Sequence, residues 1–438
     1  MKNPLHALSA CLCLLAIAVS GGSLMAGELK AGDGLAWYRG NMHTHSHWSD
    51  GDDYIESIGL WYRDHGYAFL VFTDHNILQD KERWVDVEKA KGGLEAYQKL
   101  KKNFPEWVEE RTTDGRTEVR LRRFDEVVEK LAVPGEYLLI QGEEISDRYG
   151  RLPIHMNATH VRELIRPQGG NSVTNVIQRN INAVMRQREK TGEPTIVHLN
   201  HPNFGYAITA EDIIPLVGER FFEVYNGHPG VHNSGDKQHA STERIWDIVL
   251  TKRLDEWKLP LMFGLATDDG HNYHNIPSRA AEPGRGWVMV LADELTPQAL
   301  IASLESGRFY ASSGVTLSRV ETSGEEMTVE VAPEEGETYT IEFIGTREGY
   351  DPTSKPVLDE NGEEVRATRI YSADIGETLA TVKGTKATYQ FKGDEIYVRA
   401  RVTSSADHPN PSEVGEKQRA WVQPVIGPAG PTELALKR

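Results

Sequence analysis

The feature that most constrains this chain is an alternation. Between about Leu35 and Val315, short apolar runs alternate with helix-like stretches. The runs are Ala68-Phe69-Leu70-Val71-Phe72, Tyr137-Leu138-Leu139-Ile140, Thr195-Ile196-Val197, Phe221-Phe222-Glu223-Val224-Tyr225 and Leu261-Met262-Phe263-Gly264-Leu265. Residues 173–190 and 242–257 are among the helical stretches between them. Strands separated by helices predict a mainly parallel sheet or barrel. Residues 79–131 break the rhythm. They are charged, too long for a simple connection, and read as helices with a turn at Thr113-Asp114-Gly115, forming either a lid or a structural flange. After about Leu317 the period becomes two, as in Met327-Thr328-Val329-Glu330-Val331, Thr338-Tyr339-Thr340-Ile341-Glu342-Phe343 and Ile396-Tyr397-Val398-Arg399-Ala400-Arg401-Val402. That predicts a small antiparallel sandwich over 316–438, following a barrel over 35–315.

Residues able to hold a metal collect where the apolar runs end. In chain order these ends are His43-Thr44-His45 with Ser49-Asp50-Gly51, Thr73-Asp74-His75, Gly142-Glu143-Glu144, His155-Met156-Asn157, His198-Leu199-Asn200-His201-Pro202, Glu223-Val224-Tyr225-Asn226 and Asp268-Asp269-Gly270-His271. In strand–helix barrels the working face is the carboxyl end of the strands, so these distant segments are expected to converge there. Residues two apart on a strand share a face; His43 and His45 can aim at one ion, as can Asp269 and His271. Taken singly the pieces are ordinary: a lone His-x-His is more often surface, Asp-Gly marks a turn, and Thr-Asp can cap a helix. Seven such ends together point to a metal site.

Composition narrows the chemistry. Both cysteines, Cys11 and Cys13, fall within residues 1–26, which have an early Lys2, an apolar run from Cys11 to Val19 and then small residues, the layout of a secretory signal peptide. The expected mature protein is exported, periplasmic or secreted, and has no thiol, so a metal must be held by nitrogen and oxygen. Mixed His and carboxylate donors suit zinc, manganese or iron. The formal charge of −17 excludes a basic field for nucleic acid, and no later stretch is apolar enough for a stable membrane span.

At these residues the sequence resembles the PHP (polymerase and histidinol phosphatase) superfamily. His43-Thr44-His45-Ser46-His47-Trp48-Ser49-Asp50-Gly51 resembles its first motif and Thr73-Asp74-His75 its second. Gly142-Glu143-Glu144-Ile145-Ser146 resembles a third, which selects Glu144 over Glu143. His155, His201-Pro202 and Asp269-Gly270-His271 fill the remaining motifs in order. Within the superfamily, Ile140 to Ile145, His155-Met156-Asn157-Ala158 and Asn200-His201-Pro202-Asn203 are similar to the carbaryl-hydrolase branch (CehA/McbA type). The resemblance implies a distorted seven-stranded (β/α) TIM-like barrel holding up to three ions. His43, His45, Glu144 and Asp269 would hold one; Glu144, His155 and His201 a second; Asp50, His75 and His271 a third. Asp74 is expected to orient an imidazole from behind the ligands.

The expected reaction is hydrolysis by a metal-activated water framed by Asp269, His271 and Glu144. The sequence has no Gly-x-Ser-x-Gly nucleophile elbow. Substrate contacts are expected from Arg279, Arg285, Asn203 and Asn226, with Asn157 and Tyr206 as further candidates; the arginines suit a phosphate. The first reading is a phosphoesterase for a small molecule. A second is a carboxylic or carbamic ester hydrolase in the same site. A third is a non-catalytic binding protein using Trp421, Tyr389 and Tyr397 of the β region as an aromatic platform.

Overall fold

The computed structural model describes residues 28–30, 34–218 and 220–436. The leader expected over 1–26 lies outside the described residues. The chain is a mixed α/β fold with one large sheet and an all-β C-terminal region.

Nine strands precede the C-terminal region in that sheet: β1 (Ala36–Asn41), β2 (Phe69–Phe72), β3 (Leu138–Tyr149), β4 (Leu152–Thr159), β5 (Ile196–Leu199), β6 (Phe221–Asn226), β7 (Phe263–Thr267), β8 (Trp287–Ala292) and β9 (Phe309–Ser312). The first seven lie in the order β7-β6-β5-β4-β3-β2-β1. Most neighbours are parallel, but β4 runs against both β3 and β5, which the alternation did not predict. Its reversal follows from a two-residue turn after β3, too short for a crossover. The α-helices among the described residues are α1 (Ile55–Asp64), α2 (Gly93–Asn103), α3 (Phe124–Leu131), α4 (Val173–Thr191), α5 (Ala210–Ile213), α6 (Thr242–Lys252) and α7 (Pro297–Glu305). The apolar faces of α4, α6 and α7 share one buried core with the seven strands.

Among the described residues the strands do not close into a barrel ladder. The two ends of the seven-strand run, β7 and β1, meet beyond their last residues through a single parallel bridge, Thr44 to Gly270, with His45 N–H donating to Gly270 O at 2.9 Å. That bridge brings the loops after β1 and β7 side by side. The ring stays open along the strands because β1 gives its other edge to β8, an antiparallel partner.

Residues 79–131 are only partly helical. Alongside α2 and α3 they form a three-stranded sheet of Arg83–Asp86, Glu110–Thr113 and Arg116–Leu121. Asp114 and Gly115, with φ of 51° and 76°, make the hairpin turn, a geometry that Asp-Gly favours. The charged residues that looked helical are the exposed face of this sheet; Val119 and Leu121 pack inward with Ile55, Ile58 and Phe72. The segment fastens the loop after β1: Lys99 Nζ donates to Asp53 Oδ2 at 2.6 Å, Trp48 Nε1 donates to Arg122 O at 3.1 Å, and Lys91 and Arg83 donate to the carbonyls of Asp50 and Trp48.

The C-terminal strands are β10 (Leu317–Thr322), β11 (Glu326–Val331), β12 (Tyr339–Arg347), β13 (Glu377–Lys383), β14 (Lys386–Gln390), β15 (Glu395–Asp407) and β16 (Lys417–Ile426). The large sheet continues from β1 as β8-β9-β16-β15-β12-β13, while Glu28–Lys30, β10, β11 and β14 form a second sheet. The two enclose a core that includes Val320, Val329, Phe343 and Val402. Trp421, Tyr389 and Tyr397 are all buried, so they offer no aromatic platform. Tyr389 packs between the two sheets, whereas Tyr397 and Trp421 turn the other way, Tyr397 donating its hydroxyl to Asp247 of α6 and Trp421 stacking on Tyr225 of β6. Among the described residues, no helix is long and apolar enough to cross a membrane.

Candidate metal centre

The bridge between the ends of β1 and β7 sets the centre. His43 and His45 follow β1, and Asp269 and His271 follow β7. His43 Nε2 and His45 Nε2 lie 3.1 Å apart, and each is 3.1 to 3.2 Å from Asp269 Oδ1. Glu144 brings Oε1 to 3.6 Å from His43 Nε2 and Oε2 to 3.5 Å from His45 Nε2. Donors bound about 2.1 Å from one tetrahedral ion are separated by roughly 3.4 Å. The contacts of His43 and His45 with Asp269 and with Glu144 therefore have about the edge lengths of an ion's coordination shell, with Glu144 turning a different oxygen to each histidine.

The remaining expected ligands surround this core. His155 Nδ1 is 3.0 Å from Glu144 Oε1, and His201 Nε2 is 3.7 Å from the same oxygen. On the other side of His45, Asp50 Oδ1 lies 3.6 Å from His45 Nδ1, 3.5 Å from His75 Nε2 and 3.4 Å from His271 Nε2. All nine expected residues thus fall in overlapping donor groups: His45, Asp50, His75 and His271; His43, His45 and Glu144; His43, His201 and Asp269; His75, Glu144 and His155. The grouping differs in detail from the expected one, since His45 faces both sides and Glu144 and His155 group with His75. His45 Nδ1 is buried with no hydrogen-bond partner, as a nitrogen kept for an ion would be. The donors are nitrogen and carboxylate oxygen only, and they fit a divalent cation.

Backbone details aim these groups. Asp269 adopts φ of 50°, in the left-handed region, which costs a non-glycine residue energy and recurs at functional sites. Its neighbour Asp268 faces away, accepting the Arg285 and Gly286 amides at 2.6 and 2.8 Å and the Tyr62 hydroxyl at 2.9 Å. A bulge in β6 between Glu223 and Tyr225 puts Glu223 and Asn226, three residues apart, within one hydrogen bond.

That bulge gives Glu223, named among the strand-end residues, a role that the sequence reading did not assign. Glu223 Oε1 is 2.7 Å from His43 Nδ1 and accepts from Thr267 Oγ1 at 2.8 Å; Oε2 accepts the His201 amide and Asn226 Nδ2, both at 2.8 Å. A carboxylate on Nδ1 fixes the tautomer and leaves His43 Nε2 free to ligate. The signal was present: one glutamate inside the apolar run Phe221-Phe222-Glu223-Val224-Tyr225. Asn200 was likewise given no role; its amide donates to Glu144 Oε1 at 2.8 Å and Asn157 Oδ1 at 2.9 Å. His228, which no strand-end motif includes, has its ring 5.4 Å from that of His271, and its Nδ1 accepts the Gly230 amide at 2.9 Å.

Several expected roles are corrected. Asp74 touches no imidazole: it accepts from Ser46 N and Oγ at 2.8 Å each, Ser49 Oγ at 2.6 Å and Gln79 Nε2 at 2.7 Å, so it braces the loop carrying Asp50. Arg285 is fully buried and spends its guanidinium on Asn410 O, Gly227 O, Ala280 O, Glu282 Oε2 and Asn410 Oδ1 at 2.6 to 3.1 Å. It has no donor left for a substrate. Asn203 donates both amide hydrogens to His232 O and Ala240 O, at 2.8 and 2.9 Å. Asn226 lies between Glu223 Oε2 and Asp269 Oδ2, so it positions a carboxylate rather than a substrate. Asn157 is likewise consumed, donating to Met42 O at 3.1 Å. Tyr206 stacks on His239 at 3.6 Å, and Arg279 is exposed on the loop after β7.

Charge in the centre is unbalanced. Burial works against a protonated His43, but Asp269, Glu223 and Glu144 outweigh it and raise its pKa well above the ordinary value. His75 is likewise opposed by burial yet raised to about 9 by Glu144 and Asp50. Burial lowers His45 to about 3, helped by His271 and His75. Burial would raise Glu144 and Asp269, but the surrounding imidazoles hold both well below the usual carboxylate range. The carboxylates hold protons on His43 and His75 where bound cations would otherwise serve.

Comparison with known proteins found no matching family model and no matching curated protein. Among solved structures, the chain is similar to a two-domain protein from Bacteroides vulgatus containing a predicted PHP-like metal-dependent phosphoesterase, at 15% identity and a TM-score of 0.40, covering 89% of this chain and 96% of that one. It is also similar to a proposed metal-dependent phosphoesterase from Bifidobacterium adolescentis, at 12% identity, TM-score 0.28, and 53% and 87% coverage. A third is an amidohydrolase from Chromobacterium violaceum with bound sulfate and no metal, at 13% identity, TM-score 0.23, and 43% and 77% coverage. These likenesses are distant; the chemistry of the centre rests on this chain's own residues.

Proposed function

We propose that the chain is an exported, metal-dependent hydrolase of the PHP type, acting first of all on phosphoesters of small molecules. The observation that carries the proposal is the convergence of six histidines and three carboxylates, from segments between His43 and His271, into overlapping donor groups. His43, His45, Glu144 and Asp269 would hold one ion; His155, His201, His75, Asp50 and His271 would complete sites for up to two more, of zinc, manganese or iron. Bound there, divalent ions would make water a competent nucleophile near neutral pH and neutralise charge on the ester oxygens. The chain's own residues do the rest. Glu223 and Asn226 fix His43 and Asp269; Glu144, held by Asn200, sits between the donor groups. His228 keeps its hydrogen on Nε2, since Nδ1 accepts the Gly230 amide, and so can donate a hydrogen bond to an ester oxygen beside His271.

One observation favours the carboxylic or carbamic ester reading, close to the carbaryl-hydrolase branch. The guanidinium of Arg285, expected to grip a phosphate, is fully occupied elsewhere. The test is to assay purified protein on aryl phosphomonoester, phosphodiester and carboxylic ester substrates, with chelator and with restored Mn²⁺ or Zn²⁺, while measuring bound metal. Chelator-sensitive phosphate release supports the phosphoesterase; ester cleavage alone supports the second reading. Hydrolysis unchanged by complete metal removal overturns both.

A further inference from the structure

The face that carries Glu144 and His155 into the centre does not stop there. Side chains two apart on a strand share a face, and so do directly paired residues on neighbouring strands. Glu144, Ser146 and Arg148 are spaced by two along β3. Ser146 pairs with His155 and Arg148 with Pro153 on β4. The same face therefore continues outward from the two expected ligands to Arg148, near the hairpin tip. Arg151 joins it from the turn. Gly150 has φ of 62° and Arg151 is not among the positive-φ residues, which is the pattern of a two-residue turn with glycine required at its first position.

An open cleft of about 650 Å³ follows this face; Ser146, Asp147, Arg148, Arg151, Pro153 and His155 are among its lining residues. The Asp147 carboxylate is engaged elsewhere, accepting Gly169 N at 2.8 Å, Asn180 Nδ2 at 2.9 Å and Arg148 N at 2.7 Å. Both arginines are exposed, and among the described residues neither guanidinium has a hydrogen-bond or ion-pair partner. In a chain of net charge −17, two unpaired guanidinium groups on one cleft wall with His155 form a local cationic surface.

We propose that Arg148 and Arg151 bind a second anionic group, a carboxylate or a phosphate, of a small-molecule ester whose scissile group lies at the His/Asp/Glu centre. This rests on the metallohydrolase reading and gives its substrate class: a bifunctional anion rather than a simple monoester. With a rise of roughly 3.4 Å per residue, the Arg148 backbone lies about 14 Å along the strand from that of Glu144, so the two anionic groups are separated by a spacer of several bonds.

The test compares three non-hydrolysable ligands that share one phosphonate for the centre. Hexylphosphonate ends in a methyl group, 6-phosphonohexanoate in a carboxylate and hexane-1,6-bisphosphonate in a second phosphonate. Binding to the metal-loaded enzyme is measured by calorimetry for wild type and for Arg148→Gln/Arg151→Gln. A ligand with a second anionic group should bind on the order of tenfold to a hundredfold more tightly than hexylphosphonate, the range of a charge-assisted pair. The double variant should lose that advantage, keep its affinity for hexylphosphonate and keep its unfolding temperature. Whichever of carboxylate and phosphonate gains more identifies the anion. Metal-dependent binding of all three ligands with equal affinity overturns this inference and leaves the metallohydrolase standing. Absence of metal-dependent binding by any of them overturns both.

Discussion

Two buried charge clusters in this molecule are built on opposite principles. Where α6 meets the C-terminal sheet, Arg399 donates to both carboxylate oxygens of Asp247 at 2.7 Å, and Tyr397 adds its hydroxyl at 2.8 Å. Arg401 pairs with Glu243 at 3.1 Å on the same helix. Each charge there has a permanent partner. At the strand mouths, Glu144, Asp269 and Glu223 are also buried, but among the described residues their ion-pair partners are all histidines. Lys91 reaches only Asp50, whose side chain is 42% exposed. The first cluster is self-neutralising and belongs to the fold. The second keeps its carboxylates short of fixed positive charge and has a buried ring nitrogen without a partner, the arrangement of a site that takes its cations from solution.

Substitutions at the two clusters should therefore fail differently. Asp269→Asn or His43→Ala should lower hydrolysis on the order of a thousandfold or more and reduce bound metal, with the fold kept by circular dichroism. Activity within tenfold of wild type would break the comparison at its centre. Asp247→Ala should cost about 3–5 kcal/mol in urea unfolding, because it strands the Arg399 charge, while metal per folded chain stays constant. Arg285→Met should behave like a member of the first cluster, losing about 2–4 kcal/mol of stability with KM for an aryl phosphate unchanged. A raised KM with stability intact would restore Arg285 as a substrate residue. Glu223→Gln should weaken metal affinity by about 10–100-fold in a chelator competition without unfolding the protein, since it acts through His43.

The smallest effect is on pH dependence. The His75 pKa is raised in the folded, metal-free protein from 6.5 to about 9. Its contribution to stability is full below 6.5 and is lost as the pH rises through about 9. Metal-free protein should therefore lose stability across that window, and metal-loaded protein should not, because an ion takes the deprotonated ring. Thermal unfolding at both ends of the window, with chelator and with metal, checks this. Equal stability of the metal-free protein at both ends would show that His75 is not proton-coupled to its carboxylates.

Seven of the nine donor-type residues could be named from the sequence because they follow the ends of β1, β2, β5 and β7, where a local pattern carries its meaning; Glu144 and His155 instead lie inside β3 and β4. The apolar runs also marked β2, β3, β5, β6 and β7, though not β1, β4, β8 or β9, and the two-residue period marked strands of the C-terminal sheets. The hairpin at Asp114-Gly115 was legible as a turn but not as part of a sheet, since its strands are too charged to show an apolar period. The roles of Arg285, Asn203, Asn226 and Asp74 could not be read. A guanidinium or an amide suits a substrate as well as a backbone carbonyl, and only the fold says which lies within 3 Å.

By itself, then, the sequence determined the core strands β2, β3, β5, β6 and β7 and the ligand-type side chains that follow or lie in them, because propensity and hydrophobic period act over a few residues. Tertiary structure decided the rest. It made Glu223 the support of His43 through a bulge, saturated Arg285 in the interior and reversed β4 so that His155 faces Glu144. It also left Arg148 and Arg151 unpaired on the outer stretch of the same face. Each of these depends on contacts between segments tens to hundreds of residues apart, where burial and hydrogen-bond satisfaction outweigh local preference.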